Sequence, residues 1–275
     1  MKDSTPISVG VVIPVYKRTI TNHESIALQQ CMQVLGHYPV WLAAPHRLDL
    51  SYYLNLYPNL QVRTFDDQFF TGIAAYNKLM LSNVFYEAFQ DIEYMLIHQL
   101  DAFVFKDELA DWCRKGYDYI GAPWLRDRDY TSWHDELWFR IKQKIATLAG
   151  LKKPDGITPR EIISLNSVGN GGLSLRRVPA MLRSLKKYNY IIKRYEQYDL
   201  HQYNEDVFWG IEVNRFWPSL RIPDFRTALR FAIEFYPQRA IENYNGGQLP
   251  FGCHAWDIHG TDYWRPIFAQ YGYQI

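Results

Sequence analysis

Cysteine is scarce in this sequence. Its 275 residues include three cysteines, Cys31, Cys113 and Cys253, which are widely spaced and form no Cys-x-x-Cys pair. An odd, scattered set of cysteines argues against a disulfide framework and is typical of free thiols in a reducing compartment. Residues 1–6 lack the long apolar core that a secretory signal requires. We therefore expect a cytoplasmic protein.

Long apolar runs and an excess of one charge are also missing. No run approaches the roughly 20 residues that a membrane-spanning helix needs, so any association with a membrane is expected to be peripheral. The 30 basic residues are balanced by 29 acidic ones, which argues against general binding to nucleic acid but allows a local basic pocket. Aromatic residues are abundant, with 21 Tyr and 9 Trp, and such rings either pack in cores or stack on sugars and nucleobases.

Short apolar runs alternate with helical patterns in the first half of the chain. Residues 9–15, Val-Gly-Val-Val-Ile-Pro-Val, are typical of a strand buried on both faces of a parallel sheet, with Pro14 at its carboxyl end. Further strands are predicted at 40–44, 61–65, 94–97 and 117–120, and helices at 24–35 and 76–89. This order predicts an α/β fold with crossover connections.

A charged segment, residues 127–160, separates the two halves of the chain and contains an amphipathic pattern at 133–153. The periodicity favours an ordinary helix that packs on the sheet and leaves a basic face in solvent. The alternative is a helix that binds a membrane surface, or a substrate that accepts a transferred group. Its apolar positions are Leu137, Trp138, Ile141, Ile145 and Leu148, and its basic ones are Arg140, Lys142, Lys144, Lys152 and Lys153.

The strand predicted at 94–97 is followed by His-Gln-Leu and then Asp101. In α/β sheets, ligands bind at the carboxyl ends of the strands. A carboxylate there can hold a divalent cation that neutralises a diphosphate, or it can cap the next turn. Taken alone, Asp101 fits either interpretation.

A glycine-rich segment, Val-Gly-Asn-Gly-Gly-Leu-Ser-Leu-Arg, occupies residues 168–176. Its glycines allow the backbone to approach a ligand or to form a tight turn. The spacing matches neither the glycine-rich loops of nucleotide-binding proteins nor the Gly-x-Ser-x-Gly turn of serine hydrolases. A serine-hydrolase function is therefore excluded, and the choice between a binding loop and a structural turn stays open.

Two later segments carry further candidate side chains. Residues 203–210, Tyr-Asn-Glu-Asp-Val-Phe-Trp-Gly, place two acids at the start of a predicted helix, where one can act as a general base or both can complement the helix dipole. Residues 249–256, Leu-Pro-Phe-Gly-Cys-His-Ala-Trp, place His254 among small and aromatic residues. This imidazole either faces a metal or phosphate, or is structural.

Together these segments resemble GT-A glycosyltransferases, and most of all a family of bacterial proteins. The shared motifs are Leu-Asp-Ala at 100–102, Asp-Tyr-Ile-Gly-Ala-Pro-Trp at 118–124, Gly-Asn-Gly-Gly-x-Ser-Leu-Arg at 169–176, Asn-Glu-Asp at 204–206 and Pro-Phe-Gly-x-His-x-Trp at 250–256. The likeness covers about residues 11–266. The glycine-rich and acidic motifs also look like the acceptor-site signature of inverting β-1,3- and β-1,4-galactosyltransferases.

The resemblance implies a fold and an activity. The fold is a GT-A-like (Rossmann-like) mixed, mainly parallel sheet flanked by helices, in a single catalytic domain over 1–275. Residues 1–125 are expected to bind the nucleotide sugar, 160–275 the acceptor, and 127–160 to form a helical insertion. The activity is transfer of a hexose from a nucleotide-diphosphate sugar, such as a UDP-sugar, to a glycan, polysaccharide or glycoconjugate hydroxyl, with inversion, in polysaccharide biosynthesis.

The resemblance also implies roles for individual residues. Asp206 is the expected catalytic base, with Glu205 as the less favoured candidate. A divalent cation, Mn²⁺ or Mg²⁺, is expected at Asp101 and His254, although Phe103 replaces the second acid of the metal motif, so that basic side chains could neutralise the phosphates instead. The donor is expected to contact Pro14, Tyr16, Lys17, Arg18, Lys78 and Asp101, and the acceptor Trp124, Asn170, Gly171, Gly172, Asn204 and Trp256.

Two other functions remain open. A nucleotidyltransferase also pairs an α/β sheet with metal-held phosphates, but it needs two acids spaced for two metals, and Asp101-Ala102-Phe103 supplies one. An inactive sugar- or nucleotide-binding module would explain the missing acid but leaves Asn204-Glu205-Asp206 unexplained. The sequence does not specify the nucleotide, the sugar, the acceptor, retention or inversion, or the oligomeric state.

Overall fold

A computed structural model of the protein describes residues 7–275. Residues 1–6, on which the expectation about a secretory signal rests, lie outside this range. The described part of the chain contains a six-stranded sheet in the order β3-β2-β1-β4-β7-β6 and a three-stranded sheet in the order β5-β9-β8. The strands are β1 (Val9–Pro14), β2 (Val40–Pro45), β3 (Gln61–Phe65), β4 (Tyr94–His98), β5 (Ala102–Val104), β6 (Tyr119–Ile120), β7 (Leu173–Arg177), β8 (Ala232–Ile233) and β9 (Gly252–His254).

Four neighbouring strands of the large sheet are parallel. Val11 of β1 lies opposite Val40 of β2 on one side and Leu96 of β4 on the other. Strand β7 then runs antiparallel to β4, and β6 antiparallel to β7. The prediction of a mixed, mainly parallel sheet is therefore confirmed.

Helices cover both faces of the large sheet. In β1, Val11 packs with Leu28 of the first helix, whereas the next residue, Val12, packs with Leu79 and Met181 on the opposite face. Adjacent residues of a strand point to opposite faces, so a continuous apolar run is what this position requires. The helices are α1 (Asn22–Leu35), α2 (Ser51–Leu56), α3 (Ile73–Met80), α4 (Asn83–Glu87), α5 (Leu109–Arg114), α6 (Trp133–Ala149), α7 (Val178–Lys187), α8 (Asn189–Tyr195), α9 (Glu205–Gly210), α10 (Phe225–Phe231), α11 (Pro237–Arg239) and α12 (Thr261–Gln270).

Two predicted helices differ from those observed. The helix predicted at 76–89 is divided into α3 and α4, because Ser82 has extended backbone angles and its hydroxyl accepts the Phe85 N–H as an N-cap. The helix predicted to continue to residue 153 ends at Ala149. Gly150 adopts a left-handed conformation with φ of 60°, which glycine takes at little cost and which terminates the helix.

The expectation that the apolar positions of α6 face the sheet is wrong. Ala146 is the buried residue of this helix, and it lies on the same side as Phe139 and Gln143, away from the apolar stripe. The Gln143 amide donates to the carbonyl oxygens of Ile163 and Leu165. No helix among residues 7–275 is both long and apolar enough to cross a membrane.

The three-stranded sheet has no counterpart in the sequence-based prediction. Ala102 of β5 lies opposite His254 of β9, and the aromatic side chains of Phe103, Trp256 and Phe268 pack together beside it. Strands β5 and β8 have three and two residues, too short to show a hydrophobic period. This small sheet brings His254 next to Asp101.

Candidate active site

A cleft of about 520 Å³ lies at the carboxyl ends of β1 and β4. In the sheet, β2 lies on one side of β1 and β4 on the other. The cleft is therefore at the point where the strand order reverses. This is the usual ligand position in open α/β sheets, and the volume suits a small-molecule ligand. Among the lining residues are Pro14, Tyr16, Lys17, Ile73, Tyr76, Gln99 and Asp101.

The basic side chains predicted to bind phosphate are dispersed around this cleft. Lys17 lines it, but its ammonium lies 3.0 Å from Glu24 Oε1, and this hydrogen bond raises the pKa of Lys17. Arg18 is exposed and does not belong to the lining. Lys78 lines a separate small depression with Asn77, because it points to the other side of α3 from Tyr76. The prediction that Lys78 contacts a ligand in the main cleft therefore disagrees with its position.

Asp101, His254 and Gln99 meet at the inner end of the cleft. Asp101 Oδ1 lies 3.1 Å from His254 Nε2, and Gln99 Oε1 lies 3.4 Å from the same nitrogen. The glycine-rich segment closes this corner: a methyl group on Gly172 would come within 1.9 Å of His254 Nε2. Residue 172 must be glycine for the imidazole to reach Asp101.

The charges in this corner are strongly coupled. Burial alone lowers the pKa of His254, but the carboxylates of Asp101 and then Glu234 outweigh burial and raise it to about 10. Burial likewise raises the pKa of Asp101, but the charge of His254 brings it below its usual value. Glu234 Oε1 lies 3.8 Å from His254 Nδ1, so the imidazole lies between two carboxylates.

The residues of this corner fit a divalent cation with few protein ligands. Asp101 Oδ1 is buried without a hydrogen-bond partner among the described residues, although it is only 3.1 Å from His254 Nε2. Two ligands of one octahedral ion at about 2.1 Å lie about 3 Å apart. Glu234 lies on the Nδ1 side of the imidazole, where a carboxylate commonly orients a metal-bound histidine, although its 3.8 Å separation is longer than a hydrogen bond. Residues 7–275 contain no cluster of three His, Cys, Asp or Glu ligands, so a bound ion would also need Gln99, water or substrate oxygens.

The position that pairs with Asp101 is 99, not 103. Phe103 is fully buried, and its ring centroid lies 4.0 Å from that of Phe268, so an acid at 103 would point into the aromatic core. Sequence reasoning missed Gln99 and Glu234. Gln99 could have been found from the sequence, since it stands two residues before Asp101 and carries a side-chain oxygen that can bind a metal ion. Glu234 follows a two-residue strand and shows no distinguishing pattern.

Glu205 forms a buried ion pair. Its two carboxylate oxygens accept hydrogen bonds of 2.8 and 3.0 Å from Arg176 of β7, and both side chains are almost inaccessible to solvent. Arg176 also donates to the Tyr86 hydroxyl and, through Nε, to Ser174. A carboxylate held in this way is poorly placed to accept a substrate proton, which favours Asp206 over its neighbour as the base.

Asp206 is in a different environment from Glu205. One of its oxygens accepts the adjacent Val207 N–H at 2.8 Å. Burial, followed by the charges of Glu205 and Glu234, raises the pKa of Asp206 to about 7. A carboxyl group with this pKa is suited to proton transfer near neutral pH.

The predicted acceptor residues are only partly brought together. Asn170 adopts a left-handed φ of 36°; its amide group donates to Glu234 and its oxygen accepts the Gly172 N–H at 3.0 Å. Gly171 lies against Glu205 and Arg176. The Asn204 oxygen accepts a hydrogen bond from Asn77.

The two tryptophans predicted to bind acceptor differ in exposure. The ring of Trp124 is half-buried and lies directly on Gly169. Trp256 is fully buried, with its ring 4.8 Å from that of Phe268. The prediction that Trp256 contacts an acceptor is contradicted by this burial, because the aromatic core covers its ring.

Comparison with known proteins shows which fold this is. Mouse xyloside xylosyltransferase 1 in its apo form is similar over 90% of this chain and 98% of its own, with a TM-score of 0.51 at 12% sequence identity. The galactosyltransferase LgtC, in complex with donor and acceptor sugar analogs, is similar over 89% of this chain and 86% of its own, with a TM-score of 0.53 at 13% identity. A comparison with curated protein sequences gives no match.

These structural neighbours are glycosyltransferases, and the mixed α/β architecture of the protein is GT-A-like. At the level of sequence, residues 59–254 match the profile of the family described as "Protein of unknown function (DUF5672)". This match spans well over half of the sequence, and the chain therefore belongs to that family.

Proposed function

We propose that the protein is a glycosyltransferase that moves a sugar, most simply a hexose, from a nucleotide-diphosphate sugar to a hydroxyl acceptor. One observation carries the proposal. The cleft at the reversal point of the strand order ends in the Asp101–His254 contact, and charge coupling links this corner to Asp206 through Glu234. In this proposal the cleft binds the diphosphate of the donor, and Asp206 acts as the carboxylate base.

The nucleotide sugar occupies the cleft in this proposal. Tyr16 leaves 60% of its surface exposed and provides a ring on which a base can stack. Lys17 and Pro14 line the same edge, and the buried Tyr76 hydroxyl has no hydrogen-bond partner among the described residues, so it can bond the donor. Residues 1–125 then form the donor half, 160–275 the acceptor half and 127–160 an insertion.

Asp101, His254 and Gln99 are the residues that would hold a divalent cation, and Glu234 lies on the other side of the imidazole. When bound, Mn²⁺ or Mg²⁺ offsets the negative charge of a departing diphosphate. His254 must lose its proton to act as a ligand. Its high pKa therefore makes cation binding compete with protons.

Asp206 takes the proton of the acceptor hydroxyl in the transfer step. The hydroxyl oxygen forms a bond to the anomeric carbon, and the bond from that carbon to the diphosphate oxygen breaks, with the electron pair leaving on the diphosphate. Such a single displacement inverts the anomeric configuration. Gly171 and Gly172 allow Glu205 and His254 to approach the backbone closely, and Glu205 holds the start of α9 in place through Arg176. The acceptor class is a glycan or glycoconjugate hydroxyl.

Nucleotide binding tests the donor site. Calorimetry with UDP, GDP, CDP and dTDP, each with Mn²⁺ and with EDTA, should show one nucleotide that binds more tightly with the metal. Asp101→Ala and His254→Ala should each remove the metal-dependent gain. Asp262→Ala and His37→Ala, which change exposed residues, are the matched controls and should retain it.

The results separate the candidate functions. The proposal fails if none of the four nucleotides binds at millimolar concentration. If nucleotide affinity is equal with EDTA and with Mn²⁺, the cation site is contradicted but the nucleotide site is not. Binding without donor hydrolysis or transfer would favour an inactive binding module, and release of pyrophosphate from a nucleoside triphosphate would identify a nucleotidyltransferase. NMR of the product's anomeric proton tests inversion independently of transfer.

A further inference from the structure

Helix α6 carries an exposed apolar stripe. Trp138 and Ile145 leave 62% and 58% of their surfaces in solvent, and Leu137 leaves 47%. At 3.6 residues per turn, the apolar residues of this stripe lie within about 140° of one another around the helix. The stripe is on the opposite side of the helix from Gln143, whose amide bonds to the rest of the protein. The complete stripe consists of Trp133, Leu137, Trp138, Ile141, Ile145 and Leu148.

A second exposed apolar segment adjoins the end of this helix. Arg215 Nη2 donates to the Leu148 carbonyl oxygen at 3.3 Å, which places the following residues, Phe216 and Trp217, beside the C-terminus of α6. Trp217 is 74% exposed and Phe216 is 60% exposed. All the strongly exposed tryptophans of residues 7–275, Trp133, Trp138 and Trp217, therefore belong to this surface. We call it the α6 surface.

Lysines border the stripe. On a helix of 3.6 residues per turn, Lys144 lies at one edge of the stripe and Lys142 at the other. Both are exposed, and neither forms an ion pair within the described part of the chain. Lys152 follows just after the helix and is also exposed. The border of the α6 surface is therefore positively charged.

We propose that the α6 surface docks onto an anionic lipid bilayer. Tryptophan is enriched at the boundary between headgroups and acyl chains, and an amphipathic helix lies in that plane with its apolar face inserted and its lysines at the headgroups. A second copy of the chain is a poorer occupant, because lysine is depleted in protein–protein interfaces and two such surfaces would bring like charges together. The docking contributes membrane attachment and is independent of the transfer chemistry.

Vesicle binding by the full chain tests the proposal. Co-sedimentation should show binding to phosphatidylcholine vesicles with about one third phosphatidylglycerol, and much weaker binding to phosphatidylcholine alone. Tryptophan fluorescence should shift to shorter wavelength and be quenched by brominated acyl chains. The triple change Leu137→Ser, Ile141→Ser and Ile145→Ser should weaken binding at least about tenfold.

Two further variants separate the contributions. Lys142→Glu with Lys144→Glu should reduce binding to anionic vesicles and its dependence on salt. The double change Leu56→Ser and Val84→Ser removes exposed apolar side chains of α2 and α4 and should leave binding unchanged. Circular dichroism and the melting temperature establish that each variant is folded.

Several outcomes would overturn the proposal. These are a wild-type protein that does not bind anionic vesicles, binding that survives the serine triple variant, and a dimer in analytical ultracentrifugation that the same triple variant dissociates. Loss of nucleotide binding in the calorimetric test would not affect this result, since vesicle binding is measured without donor.

Discussion

At the scale of single residues, the neighbouring carboxylates Glu205 and Asp206 lie in different environments. Glu205 is bound by Arg176 through two hydrogen bonds, whereas among residues 7–275 the Asp206 side chain accepts a hydrogen bond only from the neighbouring Val207 N–H. Two charges so close together, with little solvent, cannot both ionise freely. Burial, followed by the charge of Glu205, raises the pKa of Asp206 to about 7.

Replacement of Asp206 by asparagine tests its role as the base. We expect kcat to fall about 10²- to 10⁴-fold, which is the usual cost of losing a general base, with little change in donor affinity. In the wild type at saturating Mn²⁺, where proton competition at His254 is suppressed, kcat/KM should rise about tenfold per pH unit below pH 7 and level off above it, because only the ionised carboxylate of Asp206 accepts a proton. Retention of the wild-type pH profile by Asp206→Asn would show that another group is the base.

The same substitution has a predictable effect on stability. The pKa of Asp206 is raised on folding, to about 7, so its contribution to stability is full below pH 4 and is lost as the pH rises through 7. At pH 8, Asp206→Asn should therefore be more stable than the wild type by about 1–2 kcal/mol, allowing for partial solvent access. At pH 4 the two proteins should unfold at the same urea concentration. A helix-capping role predicts the reverse, a loss at pH 8.

At the scale of elements, the site depends on short segments that meet at one corner. The glycine-rich segment before β7 passes the ends of β4 and β9, and the Gln99 N–H donates to the Gly172 carbonyl oxygen at 2.8 Å. The imidazole of His254 occupies the space where a side chain at 172 would be. Glycine is needed at residue 172 because the imidazole approaches the backbone closely. A left-handed backbone is not the reason, since the φ of Gly172 is not positive.

We predict that Gly172→Ala displaces His254 from Asp101. The added methyl group, 1.9 Å from Nε2, must move the imidazole, so the Mn²⁺-dependent part of nucleotide affinity should fall at least about tenfold. Calorimetry in the presence and absence of Mn²⁺ measures this. Gly156→Ala is the control, because no atom lies within 4 Å of the new methyl group. The φ of 70° at this position can lower stability, but the metal dependence should be retained. An unchanged metal dependence in Gly172→Ala would mean that His254 is not a ligand.

At the scale of the whole molecule, the Arg176–Glu205 pair joins strand β7 of the central sheet to helix α9. Arg176 belongs to β7 and Glu205 begins α9, and Asn77 of α3 accepts the Glu205 N–H at 3.1 Å. Three elements that are distant in the sequence are therefore fixed by one buried polar cluster. Removing one partner of such a pair leaves an uncompensated buried charge, which is costly.

Arg176→Met should destabilise the protein by about 3–5 kcal/mol, seen as a lower urea midpoint. The double variant Arg176→Met with Glu205→Leu should recover much of this loss, because it removes both charges. Arg265→Met, which breaks an ion pair with the fully exposed Asp262, should change stability by less than about 1 kcal/mol. A double variant that is no more stable than Arg176→Met alone would contradict this account.

The sequence predicted the central strands well because each is buried on both faces. Continuous apolar runs such as residues 9–15 and 94–97 are required there, and their boundaries agree with β1 and β4 to within about one residue. The split between α3 and α4 was missed, since it depends on the capping geometry of Ser82. The orientation of α6 was predicted wrongly, because an apolar stripe at helical spacing usually faces a core, and nothing in its spacing says which surface covers it.

What the sequence by itself determined is the α/β class, the position of Asp101 at a strand end and the segments that carry candidate chemistry, because strand burial and glycine-rich or acidic motifs are local patterns. Only the tertiary structure decided which of these side chains meet. The two- and three-residue strands β8 and β5 bring Glu234 and His254 to Asp101 through pairings between distant segments. The physical reason is that the environment of a carboxylate or an imidazole, and hence its charge and its role, is set by neighbours that are remote in the chain.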